Sequence, residues 1–164
     1  MRLLKNNIIF MKCGVKVGNH KMGIYFYKIN EKYGCFSNFA HYSFKLDGKC
    51  WMTSEHYFQA QKFYGTKYEE IIRLLDNPMK AAKMGRNHDL PLRKDWEQVK
   101  DSVMRKAVLE KFAQNQRIKD ILVSTGDEII IENTVDDYYW GCGKNGSGKN
   151  MLGIILMEVR SLLR

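Results

Sequence analysis

The chain has 164 residues, 45% apolar and 27% charged, with 27 Lys and Arg against 18 Asp and Glu for a formal charge of +9. That length fits one domain with a substantial core, and the balance excludes a disordered chain. The positive surface favours anionic partners such as phosphates, nucleotides or nucleic acid without choosing among them, and no run of four Lys or Arg marks a polybasic tail.

Weak periodicity up to Lys21 separates residues 1–22, an N-terminal extension of uncertain structure, from a single domain over 23–164. The apolar start is interrupted by Lys5, Asn6, Asn7 and Lys12, and no small-residue cleavage site follows. Nothing reaches the length of a membrane span, so the expectation is a cytoplasmic protein without a membrane partner. The four cysteines, Cys13, Cys35, Cys50 and Cys142, show no C-x-x-C spacing, and only His20, His41, His56 and His88 are available to join them. Reduced thiols are therefore expected, with no metal site and no cofactor.

Ile24 to Phe26 and Tyr42 to Leu46 carry the aromatic and β-branched pattern of short strands, and Asp47-Gly48 is a hairpin-type turn leading to Cys50-Trp51. Thr53 is placed to cap a helix running to about Phe63, closed by Gly65. A second helix is expected over Tyr68 to Leu75, with Ile71, Ile72, Leu74 and Leu75 on its buried side. Asn77-Pro78 starts a third, ended by Gly85. The longest should run from Trp96 to about Phe112, with Asp95 as cap and Gln98 reaching back to it. A short helix over Arg117 to Val123, a strand over Glu128 to Ile131 and an apolar helix over Met151 to Leu163, capped by Asn150, complete the chain. The fold class is mainly α with a small β component.

Chemistry concentrates in two stretches. In the helix after Thr53, residues 55, 58, 59 and 62 share one face, which joins Glu55, Gln59 and Lys62 to the ring of Phe58. Glu55 lies in the first turn, where the helix dipole favours a carboxylate. A plain helix N-terminus would also place a Glu there, but two amides, a lysine and four aromatics within thirteen residues exceed what packing needs. His56 points elsewhere and reads as a hydrogen-bonded structural residue. In the second stretch, Asp136 and Asp137 precede Tyr138, Tyr139, Trp140 and Gly141. Ring faces suit a planar base and an acid beside them suits an amine or a sugar hydroxyl; as alternatives, the rings are core and the acids form a turn.

Gly143 to Lys149 nearly matches a P-loop, but Asn150 stands where Ser or Thr would hold Mg²⁺, and no buried apolar strand precedes it. What survives is a glycine loop opening a helix, a cradle for phosphate with Lys149 as a point charge, or else a flexible surface turn. Arg86, just past a helix end, suits a bidentate phosphate grip, and Asn38, in the loop from Tyr33 to Phe39, can read a polar ligand edge.

Six segments together resemble the NADAR family, also called YbiA-like. They are Tyr33 to Phe39, Trp51 to Phe63, Ala81 to Asn87, Lys94-Asp95-Trp96, Val103 to Ala107, and Asp137-x-Tyr139-Trp140-Gly141 through Gly148-Lys149-Asn150-x-Leu152-Gly153. The resemblance spans about residues 24 to 163, and departs from it at Cys142, where relatives often carry a polar or acidic residue, and at Met52, where Pro is frequent. It implies a single-domain hydrolase of N-glycosidic bonds over residues 23–164. Its substrate would be a phosphorylated ribosylaminopyrimidine of riboflavin biosynthesis. The alternatives are an ADP-ribosyl-guanine hydrolase acting on DNA and a non-catalytic module that binds ADP-ribose. On that reading Glu55 and Asp137 are catalytic, Trp140 stacks on the ring, and Lys62, Arg86 and Lys149 hold phosphate. Asn38, Gln59, Asp136, Tyr139, Gly141 and Asn150 complete the substrate contacts, and Trp96 is either a second pocket wall or core.

Overall fold

The computed structural model describes residues 23–164; the expected N-terminal extension, 1–22, lies outside the described residues. Two small sheets and six helices make up the described chain. Strand β1 (Ile24–Phe26) is followed by a single 3-10 turn, Gly34–Phe36, and by β2 (Phe44–Leu46) and β3 (Lys49–Trp51). Then come α1 (Ser54–Gln61), α2 (Lys67–Arg73), α3 (Pro78–Gly85), α4 (Trp96–Ala113), α5 (Gln116–Ser124), β4 (Ile130–Glu132) and α6 (Met151–Leu163). The mainly α class with minor β holds. None of these helices is long and apolar enough to cross a membrane.

The hairpin is built as its turn demands. Asp47 and Gly48 both have positive φ, 52° and 73°, the pairing a tight two-residue connection needs, and Phe44 lies opposite Trp51 across it. The second sheet is parallel: β1 pairs with β4, Ile24 against Ile130 and Phe26 against Glu132. Distant segments are thereby joined, and the last residue of β4 is set beside the core.

The core runs through both sheets and the helices between them. Trp51 stands edge-on to Tyr57 at 5.0 Å, and Phe36 bridges Phe26 at 5.7 Å and Phe112 at 5.9 Å. Around it α1 packs against α2, α3 and α4, while α6 covers α4, α5 and β4. Helix α1 is therefore central, and all eight of its residues are buried.

Three local expectations are corrected. Only Ile72 and Leu75 of the four apolar residues assigned to the inner face of α2 reach the core; Ile71 is 42% exposed and Leu74 66%. The inward stripe is Tyr68, Ile72 and Leu75, spaced by four and three, which turns positions 71 and 74 to solvent. Asp95 precedes α4 without capping it: its carboxylate takes a two-pronged bond from Arg93 at 2.6 and 2.9 Å, and Gln98 meets it through a main-chain N–H to Asp95 O. Asn150 does not cap α6 either. It sits in the left-handed region with its amide turned back onto β4.

Candidate active site

A helix with polar residues on every side has little reason to be buried unless those residues meet partners or a ligand. On one side of α1, His56 accounts for itself. Its Nε2 donates to Leu75 O at 3.1 Å, so Nδ1 accepts from the Thr53 hydroxyl at 2.8 Å, and Thr53 in turn accepts from His56 N as the helix cap. Burial lowers the imidazole's pKa, in keeping with this neutral, structural role.

The other side of α1 faces a cavity of about 230 Å³ lined by Asn38, Glu55, Gln59, Lys62, Arg86 and Trp140, together with Asp137 and Glu132. Phe39, Phe58 and Met104 supply its apolar wall. Glu55 is 5% exposed and accepts from Gln59 Nε2 at 2.7 Å, one helical turn on. Burial raises its pKa; the Gln59 bond and the charges of Lys62 and Arg86 pull the other way, and Asp137 adds to the rise. Gln59 Oε1, also buried, has no hydrogen-bond partner and packs against Gly85. A buried amide oxygen left unpaired beside a polar cavity is suited to a ligand's donor.

Asn38 is fixed from two directions. Its carbonyl accepts from Glu55 N at 3.1 Å and its Oδ1 from the Ser54 hydroxyl at 2.9 Å, while Nδ2 approaches Met104 Sδ at 3.4 Å. Beneath it the fully buried Lys111 donates to Ser37 O at 2.8 Å, and burial brings the pKa of that lysine down to about 7. Lys62 donates to Gly85 O at 2.9 Å and lies 5.7 Å from the Phe58 and Trp96 ring centres, so one of its three protons is already committed. Burial lowers its pKa, opposed by the charge of Glu55. Arg86, exposed yet lining the cavity, stands at the mouth.

Trp140 forms the opposite wall, edge-on to Phe58 at 5.2 Å. Asp137 holds it: Oδ1 accepts from Tyr139 N at 2.9 Å and Trp140 N at 2.7 Å, a side-chain turn that is one of the two readings its sequence allowed. Asp137 thus both forms a turn and lines the cavity.

The remaining expected residues lie elsewhere. Trp96 is buried behind Phe58, 5.0 Å between rings, as core beneath the cavity wall. Tyr139 points outward, its hydroxyl donating to Asp101 at 2.8 Å, with Lys100 and Lys149 at 4.0 and 4.8 Å from its ring centre. Asp136 is exposed and does not line the cavity.

The glycine loop is not an open phosphate cradle, because several of its N–H groups are taken. Gly143 N donates to Thr134 O, Gly148 N to Cys142 O and Lys149 N to Tyr138 O. The first N–H groups of α6, those of Met151 and Leu152, go to Tyr139 O and Trp140 O at 3.0 and 3.1 Å. A helix N-terminus binds an anion only with donors to spare. Here those donors fasten the Trp140 wall. Gly141 is buried inside the same fold-back, and Asn150 bonds Glu132 N at 2.9 Å and Ile130 O at 2.8 Å, clamping the free edge of β4.

One polar cavity residue escaped the sequence reading. Glu132 ends β4 and points its carboxyl into the cavity, where burial, then Asp137, then Glu55 push its pKa up to about 8 against a hydrogen bond from Thr134. Its Oε2 has no hydrogen-bond partner. The available signal was a lone acid closing the apolar run Ile129-Ile130-Ile131. Glu55, Glu132 and Asp137 are hard oxygen donors, but no group of three or more acids, His or Cys among the described residues could hold a metal ion.

N-glycosidase YbiA of Escherichia coli is 53% identical over 140 residues, covering 85% of this chain and 88% of its own. An N-glycosidase of Nostoc punctiforme is 47% identical over 146 residues, covering 87% and 94%. A riboflavin biosynthesis protein of Vibrio vulnificus is 40% identical over 141 residues, of which this chain matches 38% of the length. The NMR structure of E. coli YbiA superposes with a TM-score of 0.81 at 49% identity, covering 93% of this chain and 90% of that one. The NADAR domain model matches residues 25–164, and the chain belongs to the NADAR family.

Proposed function

We propose that this chain is an N-glycosidase that hydrolyses the C1′–N bond of a phosphorylated ribosylaminopyrimidine. The chain is a hydrolase of N-glycosyl bonds, a reading supported by relatives named N-glycosidases and by others named riboflavin biosynthesis proteins. The observation that carries it is the buried Glu55 carboxylate, oriented by Gln59 in a cavity walled by Trp140.

Cleavage of C1′–N leaves the electron pair on nitrogen and positive charge across C1′ and the ring oxygen. A carboxylate held beside that carbon in a low-dielectric site stabilises this charge as it develops and can take the proton of the attacking water. We assign that role to Glu55. Asp137, with Oδ1 committed to Tyr139 and Trp140, offers Oδ2 to a ribose hydroxyl, and Trp140 presents its face to the pyrimidine. Phosphate falls to Arg86 at the mouth and to the free protons of Lys62.

The formal charge of +9 favours a second reading, removal of ADP-ribose from guanine in DNA, with the nucleic acid held outside the cavity. Both are tested by incubating the protein with a ribosylaminopyrimidine phosphate and, separately, with ADP-ribosylated guanine DNA, and following free ribose phosphate and free ADP-ribose. Release from the first alone supports the main reading and release from the second alone replaces it. Binding of ADP-ribose without release from either would make the protein a reader.

A further inference from the structure

Three acids share the cavity, and they are not equally compensated. Glu55 has the Gln59 amide at 2.7 Å, the first turn of α1 around it, and the charges of Lys62 and Arg86. Asp137 has two main-chain donors on Oδ1. Glu132 faces Asp137 from the loop and Glu55 from α1, with only the Thr134 hydroxyl to favour its charged form. The cavity's two cations among the described residues, Lys62 and Arg86, bear on Glu55, and neither is among the groups that shift Glu132. Like charges confined in low dielectric do not all persist, and the proton settles where compensation is poorest. Burial and the two acids raise the pKa of Glu132 to about 8, so its carboxyl is largely neutral at pH 7.

Its placement is also rigid. The main chain of Glu132 accepts from Cys142 N at 2.9 Å and Thr134 N at 3.0 Å and donates to Asn150 Oδ1 at 2.9 Å, while β1 pairs along its other edge. The carboxyl is thus aimed from a fixed strand end, and its Oε2, unpartnered although buried, is available to a substrate atom.

Departure of the ribosyl nitrogen requires a proton, because an unprotonated amide-type anion is a poor leaving group. We propose that Glu132 is the general acid of this site, giving its carboxyl proton to the departing nitrogen while Glu55 serves the sugar carbon. As C1′–N breaks, the bond's electron pair stays on nitrogen and Glu132 protonates it. Water adds to C1′ and loses a proton to Glu55, and passage of that proton from Glu55 to Glu132 restores the starting state. This division of two carboxyls by environment rests on the N-glycosidase reading above.

The test compares wild type with Glu132→Gln on two substrates: a ribosylaminopyrimidine phosphate, and a 4-nitrophenyl riboside 5-phosphate, whose leaving group departs as a stable anion. The variant should lose on the order of 10²- to 10⁴-fold in kcat with the amine and far less with the nitrophenyl compound. The fall of wild-type kcat/KM above pH about 8 should vanish in the variant. Equal losses on both substrates, or an unchanged alkaline limb, would overturn the proposal while leaving the N-glycosidase reading intact. Wild type inactive on both would end that reading and the proposed role with it. A side-chain carboxyl ¹³C titration checks the protonation state without turnover: one glutamate titrating near 8 should disappear in Glu132→Gln, and its absence from wild type refutes the assignment.

Discussion

Gln59 Nε2 donates to Glu55 Oε1 at 2.7 Å across one turn of α1, with both side chains only 5% exposed. The bond favours the ionised carboxylate in a place where burial disfavours it, and it fixes which way the carboxylate points. Glu55→Gln is expected to fold and to lose turnover by on the order of 10²- to 10⁴-fold. Gln59→Leu should keep the helix packed while raising the Glu55 pKa further, moving the acid limb of the kcat profile to higher pH. A folded Glu55→Gln with near-normal kcat removes Glu55 from the chemistry.

Gly85 meets Gln59 from α3. A Cβ at position 85 would collide with the Gln59 carboxamide, although the helical backbone there would otherwise welcome alanine. Gly85→Ala is therefore expected to displace Gln59, lowering kcat by roughly 10-fold and stability by about 1–3 kcal/mol. In a Gln59→Ala background the same substitution should cost much less, since the carboxamide is gone and only the Cβ of residue 59 remains near, at 3.0 Å. The coupling is measured by kinetics and thermal melting of the four proteins, and additive effects would show that the close approach is unimportant.

Trp140 is held by its main chain, with Asp137 Oδ1 on its N–H and Leu152 N on its carbonyl, so its indole can be removed without releasing the loop. Trp140→Ala should leave the melting temperature within a few degrees and weaken substrate by roughly 10-fold or more, as loss of ring stacking on a base does. Trp140→Phe should recover part of that. Unchanged KM and kcat in Trp140→Ala would assign the indole to packing alone.

How much of this was legible in the sequence depended on range. Thr53 as cap, the Asp47-Gly48 hairpin and the shared face of Glu55, Gln59 and Lys62 follow from periodicity and turn chemistry within one element, and they appear as read. The glycine loop misled because its composition suits an anion cradle, whereas its donors are consumed by Thr134, Tyr138 and Tyr139, partners set by tertiary folding. Asn150 looked like a helix cap for the same reason; its amide serves β4. Glu132 was missed because a strand end carries no sign of which face will close on two other acids. That knowledge resides in the parallel pairing of β1 with β4, which brings together residues more than a hundred positions apart.

The acid cluster should also show in stability against pH. For Glu132 the folded-state pKa, about 8, lies above the value near 4.5 of an ordinary glutamate, so between these pH values the folded protein binds more protons than the unfolded one. Its contribution is complete below pH 4.5 and is lost as pH rises toward 8. Glu55, also raised, acts in the same direction. Lys111, lowered to about 7 from 10.5, acts oppositely, its contribution improving as pH rises between those values, and His56 and Lys62 are likewise lowered. Total stability therefore mixes signs, and the informative quantity is a difference. The melting temperature of Glu132→Gln minus that of wild type should increase from pH 5 to pH 8 by on the order of 5 °C and then level off, because the variant has no carboxyl to deprotonate beside Glu55 and Asp137. A difference that stays flat over that range would mean that Glu132 ionises as readily in the folded protein as in the unfolded chain.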